Sequence, residues 1–444
     1  MDADMESITE NATWQLASLP LGQKAIGLKW FFKFKRGPDG NIIKHKARLV
    51  AKGYTKREGV DFEEGFAPVA RIETMHLFLA FAAHSGWEVH HMDVKSAFLN
   101  GDLIEEVYVA QPPGYVADGG THKAHIEAFK DQMQQLFKMS DLRLLSYYLG
   151  IEVNQSEDVI TLCQRGYAEK ILEVAGMSGC NSSHTHMECR LKLRKEDEGK
   201  ACDASLYCSV IGSLRYLVHT RPYITHAIGI VSRLMEKLTT SHWAAVKQIL
   251  RYVQGTLSYG CRYVRGGSGA LLGFSDSDHA RGIGDRKSTS GQIFFLGDNH
   301  VSWTSQKQKI VAISSCKAEY VAAAAATCQG LWLSRLVAEM RGQTPSELKL
   351  MVDNKSAIAL AKNTVHHDRS KHIDVKFHFI RDCVETGHVK IDFVGTHDQV
   401  ADALTKALGR VRFIDLRQRV GVKEISSERG DYGGDLLALL ISRC

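Results

Sequence analysis

The chain has 444 residues, a formal net charge of +6, 44% hydrophobic and 24% charged residues. These values exclude a fibrous or low-complexity chain and leave room for roughly two to four globular domains. Ten cysteines occur with no Cys-x-x-Cys pair, which speaks against a zinc module or a disulfide framework and fits a reducing compartment.

No apolar run reaches the ~18 residues of a membrane span. The acidic, polar opening MDADMESITENATW is no secretory signal. The expectation is an intracellular protein, cytoplasmic or nuclear, with no membrane partner. The mild positive charge permits a polyanionic partner without demonstrating one.

In chain order, LKWFFKFK sets Lys29, Lys33 and Lys35 in alternation with Leu28, Trp30, Phe32 and Phe34. That period of two predicts a strand with one basic face. The turn cluster GPDG follows, then NIIKHKARLV with Lys44, Lys46 and Arg48 at alternate positions, so the pair reads as a β-hairpin. Its basic face is either a solvated surface or a contact for phosphates. Residues 73–89 predict a helix leading into a strand that carries Asp93 in HHMDVKSAFLNGDL. Ile126, Phe129, Met133 and Phe137 form one helical stripe. Trp243, Val246, Ile249, Leu250 and Val253 form another, with Ser241 as its N-cap. Both stripes are read as core-facing. Gly266, Gly267 and Gly269 predict a linker, after which strands and helices alternate to about residue 408. The last stretch, ISSERGDYGGDLLALLISRC, is expected to be disordered.

After the glycines, several elements each deliver a carboxylate at or near an end. LLGFSDSDHA is a strand ending in Asp276 and Asp278, which share a face. Glu319 lies in the first turns of an Ala-rich helix, Asp353 at the end of a strand, and Asp402 on a short helix in THDQVADALTK. Hard divalent cations take such oxygen ligands, and two ions ~4 Å apart serve phosphodiester hydrolysis. Each acid taken alone reads better as a helix cap or a solvated strand end, and spacing does not make the four converge.

Read together, KHKARLVAKGYTKREGVDFEEGFAPVARIET, HHMDVKSAFLNGDLIEEVYVAQPPGYV, MSDLRLLSYYLGIEV, IGSLRYLVHTRP, DRKSTSGQIFFLG, AEYVAAA, VDNKSAIALAKN and SKHIDVKFHFIRD resemble the Pol polyprotein of copia-type LTR retrotransposons. The likeness lies in its reverse transcriptase and RNase H regions and runs from about Glu6 to Val422. It implies an α/β and α+β multidomain protein: a truncated right-hand polymerase followed by an RNase H-like αβ domain. Fingers and first palm motif would occupy residues 1–118. A thumb/connection remnant would follow at 119–265, the RNase H-like domain at 266–422 and a tail at 423–444.

The resemblance implies a role for each candidate. Asp93 would be the first metal ligand of the palm. Lys33, Lys35, Lys44, Lys46 and Arg48 would contact nucleic acid. Asp276, Glu319, Asp353 and Asp402 would be the catalytic, metal-binding carboxylates, holding two Mg²⁺ ions. Asp276 is preferred over Asp278 because the family's first Asp ends its strand directly.

Departures qualify the likeness. The palm needs a Tyr-x-Asp-Asp turn, yet no two Asp residues are adjacent in the chain, and PPGYVADGG runs straight into THKAHIEAFKDQMQQLFKMSDL. A long family segment belongs between those stretches. Tyr223 also stands where an Asp is usual. The expected function is Mg²⁺-dependent hydrolysis of RNA in RNA–DNA hybrids, with polymerase activity lost. The partners would be the hybrid, an RNA template and other retrotransposon products. A non-catalytic nucleic-acid-binding remnant and a degenerate relic are the alternatives.

Overall fold

The structure is a computed structural model that describes residues 25–36, 42–52, 71–94, 139–425 and 437–442, apart from 190, 192, 196–198, 281, 283 and 363–373. The described residues fall into two units, one drawn from 1–70, 90–144 and 439–444, the other from 71–89 and 145–438. The predicted helix around Ile126–Phe137 lies outside the described residues.

In the first unit, β1 (Leu28–Arg36) and β2 (Ile42–Ala51) form the expected antiparallel hairpin. The register sets Lys33 opposite Lys46, Lys35 opposite Lys44 and Phe31 opposite Arg48. Directly opposed residues share a face, so the basic positions of both strands fall on one side. Phe31 and Phe32 are 56% and 62% exposed, so neither face of the hairpin is a closed core.

The chain then forms α1 (Ile72–Ser85) and β3 (Glu88–Val94). Gly86, with φ of 69°, closes α1, because the left-handed conformation costs glycine nothing. From His90 onward β3 belongs to the first unit and pairs antiparallel with β4 (Met139–Leu144).

The second unit contains two five-stranded sheets. One begins with β5 (Tyr147–Tyr148), β6 (Ile151–Ser156) and β7 (Val159–Cys163). Helices α2 (Arg165–Val174), α3 (Ala204–Leu217), α4 (Thr225–Val231) and α5 (Thr240–Gln254) follow. The α5 stripe is core-facing as predicted, with Val246, Ile249, Leu250 and Val253 buried. Its cap is Thr239 rather than Ser241: the helix starts two residues earlier, and the Thr239 N–H donates to His242 Nδ1 at 3.3 Å in a capping box. Tyr223 is buried against Tyr252 and Phe413, with ring centroids 5.8 Å from each. The side chain that stands where the family usually has an Asp is therefore part of an aromatic core.

Next come β8 (Tyr259–Val264), β9 (Leu271–Ser277), β10 (Thr289–Leu296) and β11 (Asn299–Lys307). The Gly266–Gly269 turn between β8 and β9 is anchored on both sides. Gly266 N–H donates to His84 O at 3.1 Å, and Arg341 Nη2 donates to Gly269 O at 2.7 Å. The expected boundary at residue 266 thus falls inside the second unit.

The chain continues through α6 (Ser315–Arg341), β12 (Leu348–Val352), α7 (Lys355–Lys362), α8 (Asp374–Glu385) and β13 (Val389–Phe393). After a 3-10 turn (Val400–Leu404) come α9 (Arg410–Arg419), β14 (Val422–Glu424) and β15 (Leu437–Ser442). In the segment after 423, expected to be disordered, the described residues 423–424 and 437–442 lie in strands. β14 pairs with β8, and the apolar LALLIS run of β15 joins the sheet of β3 and β4.

The first sheet of the second unit has the order β14-β8-β7-β6-β5 and the second β11-β10-β9-β12-β13. In the second, β9, β10 and β11 are antiparallel neighbours, whereas β12 pairs parallel with β9 and β13. α6 packs across β9, β10 and β12. A Cβ on Gly330 would lie 2.3 Å from Leu348 Cδ2, so glycine sets how closely this helix approaches the sheet. By length and composition alone α6 is long and apolar enough to cross a membrane. Its Ala-rich surface here packs against protein, and 14 of its residues are buried.

α1 touches both sheets, packing on β8 and β11. Its His76 makes a 2.7 Å hydrogen bond to Tyr263 Oη, and its ring lies 4.8 Å from Trp303. Burial holds His76 well below the usual histidine range and pushes neighbouring His300 down to about 3.

Candidate metal centre

Four elements of the second unit bring carboxylates to one end of the second sheet. β9 and β12 run parallel with Ser275 beside Val352, so Asp276 and Asp353 emerge as the next residues of adjacent strands. The 3-10 turn with Asp402 folds back over β9 and β10. Gln399 fixes it there: its amide donates to Ser275 O at 2.8 Å and its carbonyl accepts from Ala401 N at 3.2 Å. Gly291, opposite Asp276 in β10, lies under this turn, and a Cβ there would stand 2.8 Å from Leu404 Cβ. α6 supplies Glu319, capped at its start by Ser314, whose hydroxyl accepts from Lys317 N at 3.2 Å.

One oxygen each from Asp276, Asp353 and Asp402 lies within 4.8 Å of the others. Glu319 sits beside this triad, with Oε1 accepting the Ser277 N–H at 3.1 Å. Asp276 and Asp402 are 2% and 4% exposed, and Glu319 is 5% exposed. Such crowding of buried like charges disfavours ionisation. Burial, then Asp276 and Asp353, pushes Glu319 up to about 9. Burial and Asp276 push Asp402 up to about 6 against the pull of Lys406, and burial and Asp276 also raise Asp353.

The site includes residues that the sequence reading missed. Lys406 Nζ lies 2.6 Å from Asp402 Oδ1, the Thr405 hydroxyl donates to Asp276 Oδ2, and Arg412 Nη2 lies 3.8 Å from Asp402 Oδ2. Burial opposes the charge on Lys406, but Asp276 and Asp402 outweigh it and leave the ammonium raised. The i,i+4 spacing of Asp402 and Lys406 was a usable signal. Asp278 is also buried, but its carboxylate accepts the Thr289 backbone N–H and so anchors the strand end.

The donor set fits a hard divalent cation: four carboxylates and no sulfur. Glu319 Oε2 adds a direct test, because it is buried with no hydrogen-bond partner among the described residues. A buried carboxylate oxygen left bare costs free energy unless a proton or a cation meets it.

The remaining candidates lie in the first unit. Asp93 stands in β3 with Ser140 as its register partner, and the nearest acid on β4, Asp141, stands opposite Met92. Lys33, Lys35, Lys44, Lys46 and Arg48 lie on the β1–β2 hairpin. Neither group belongs to the unit that carries the triad.

Comparison with known proteins gives three findings. Residues 11–125 and then 116–189 match the family described as Reverse transcriptase (RNA-dependent DNA polymerase). The chain is similar to the retrovirus-related Pol polyprotein from transposon TNT 1-94 of Nicotiana tabacum, 33% identical over 95% of this chain and 37% of the relative. The corresponding polyprotein from transposon RE2 of Arabidopsis thaliana is 31% identical over 97% of this chain and 34% of its own length. The chain thus spans about a third of the length of these two polyproteins. The tobacco alignment runs over 499 positions, more than the 444 residues present, so the relative has positions that this chain lacks.

Among solved structures, the foamy viral protease-reverse transcriptase in complex with dsDNA matches with a TM-score of 0.43 and 11% identity, over 82% of this chain and 77% of that one. The compost-derived LC11-RNase H1 in complex with RNA/DNA hybrid matches with a TM-score of 0.23 and 15% identity, over 30% and 93%. Motifs, alignments and the family match over residues 11–189 agree: the chain belongs to the Pol polyproteins of copia-type retrotransposons and carries their reverse transcriptase sequence.

Proposed function

We propose that the second unit is an RNase H-type endonuclease that hydrolyses the RNA strand of RNA–DNA hybrids with Mg²⁺. The observation that carries this reading is the convergence of Asp276, Asp353 and Asp402 within 4.8 Å, with Glu319 beside them. Asp276, Asp353 and Asp402 would hold the metal, and Glu319 would join them through its bare Oε2. When bound, such a pair supplies Lewis acidity that eases deprotonation of water and neutralises the departing oxygen.

The chain's own residues set the conditions. Gln399 and the Ser277 N–H hold two carboxylates in place before substrate arrives. In the absence of metal, Glu319 keeps its proton up to about pH 9. Loading the site therefore releases a proton, and metal affinity rises with pH through the neutral range.

For the first unit the proposed role is binding. Lys33 stands opposite Lys46 and Lys35 opposite Lys44 in the hairpin register, basic positions that suit an anionic strand. An RNA template or the hybrid backbone fits that face. Asp93, with Ser140 opposite, is read as a palm ligand without its partners, so polymerase activity is proposed to be lost. The setting would be the cytoplasm or nucleus, alongside other retrotransposon products.

The test is cleavage of a labelled RNA–DNA hybrid with Mg²⁺ by the wild type and Asp353→Asn. Cleavage by the first and loss in the second is expected. Failure of both, with circular dichroism showing a folded chain, overturns the enzymatic reading in favour of a binding remnant.

A further inference from the structure

Asp402 is not a free ligand. Its Oδ1 lies 2.6 Å from Lys406 Nζ and its Oδ2 lies 3.8 Å from Arg412 Nη2. The two cations differ in how firmly they are held. Arg412 also bonds Asp415 Oδ2 at 2.9 Å and Thr396 O at 3.1 Å, a fixed fork. Lys406 reaches Asp402 and, at 3.9 Å, Asp276 Oδ2, and its side chain is 26% exposed. It is a point charge on a flexible four-carbon stem with a route to solvent.

Lys406 thus touches two of the three carboxylates that form the triad. A divalent ion that takes Asp402 Oδ1 meets an ammonium already 2.6 Å from that oxygen, and the repulsion between the two cations in a buried site weakens the hold of each. The two therefore compete for Asp402 Oδ1.

We propose that Lys406 is the centre's internal counter-ion. It holds Asp402 and Asp276 together before a divalent cation enters, and it swings outward to yield Asp402 when one does. Entry on the Asp276–Asp402 side is therefore an exchange of ammonium for metal, and Lys406 sets the affinity of that position. This rests on reading the cluster as a metal centre. Two consequences separate it from a plain structural ion pair. Removing the Lys406 charge destabilises the metal-free protein yet strengthens metal binding. Restoring a positive charge there reverses both.

The test is Mn²⁺ binding by isothermal titration calorimetry, with thermal melts at zero and saturating Mn²⁺, on the full chain. The proteins compared are the wild type, Lys406→Met, Lys406→Gln, Lys406→Arg and Asp276→Asn. The expectation is roughly tenfold tighter Mn²⁺ binding in Lys406→Met and Lys406→Gln, with a larger metal-induced rise in Tm. Lys406→Arg should return towards the wild type. Equal or weaker binding in both neutral variants, while Asp276→Asn lowers the affinity of the wild type, overturns the exchange and leaves the metal centre standing. No binding by any protein, or no effect of Asp276→Asn, removes the metal centre and this inference with it. If Lys406→Met does not fold, Lys406→Gln, which keeps a hydrogen-bond donor, decides.

Discussion

Two strands of this chain carry an aspartate proposed as a metal ligand, and their surroundings differ. β9 is a central strand with a parallel neighbour, so Asp276 has Asp353 next to it by register alone. The turn that follows β13 then adds Asp402, and α6 adds Glu319. β3 has an antiparallel neighbour that sets Ser140 opposite Asp93. The lesson is that a ligand residue is worth only what its neighbours in the sheet deliver. β9 has such neighbours, whereas the register partner of Asp93 in β3 is a serine.

The largest expected effect would break that comparison outright. Asp276→Asn or Asp353→Asn should reduce hybrid cleavage by at least ~10²-fold, beyond the usual cost of removing a supporting residue. Asp93→Asn should leave it unchanged. Equal losses in a cleavage time course would mean that the two regions work as one site.

Acid sharpens the contrast through stability. His186 is pushed down to about 4 and His300 to about 3 by burial, against 6.5 in the unfolded chain. The unfolded chain then binds more protons, so this stability is complete above pH 6.5 and is lost as the pH falls towards 4 and 3. His186 alone accounts for about 3 kcal/mol. It packs on Tyr252 and Phe413 with neither ring nitrogen hydrogen-bonded among the described residues, so His186→Phe should flatten part of the slope in urea titrations between pH 7 and 4.

A smaller effect probes how β10 supports the carboxylates. Gly291→Ala would press its Cβ into Leu404 and Thr405, at a cost of ~1–3 kcal/mol. It should also weaken Mn²⁺ binding, because Thr405 holds Asp276. The smallest effect is Glu319→Gln at pH 7 without metal. The native side chain is already protonated there, so the metal-free Tm should hardly move while the metal-induced rise shrinks.

Local pattern revealed much of this architecture. The alternation in β1, the α5 stripe and the Ala-rich α6 were all legible, because each advertises its period within its own residues. The four acids of the centre were named as candidates, but their convergence was not legible from spacing. It depends on parallel pairing between strands more than 70 residues apart and on Gln399 reaching back to Ser275. Lys406 was missed because attention to like-charged ligands passes over the cation that neutralises them. The Gly266–Gly269 stretch misled in the opposite sense, since its left-handed glycines serve a tight turn held by His84 and Arg341.

Gln155 has a consequence that reaches beyond its own strand. Its amide bonds Val89 N and O and Leu145 O, each at 2.9 Å, and Leu145 N–H donates to Val89 O at 2.8 Å. The second unit therefore releases the chain at Val89 and recovers it at Leu145 across a single stitched seam. What lies between is an excursion whose ends are already pinned, and halving or doubling such an excursion changes its closure entropy by only about 0.6 kcal/mol. A change in the length of that passage would leave these bonds of the second unit in place, so the unit's closure at Val89 and Leu145 does not depend on how much chain runs between them.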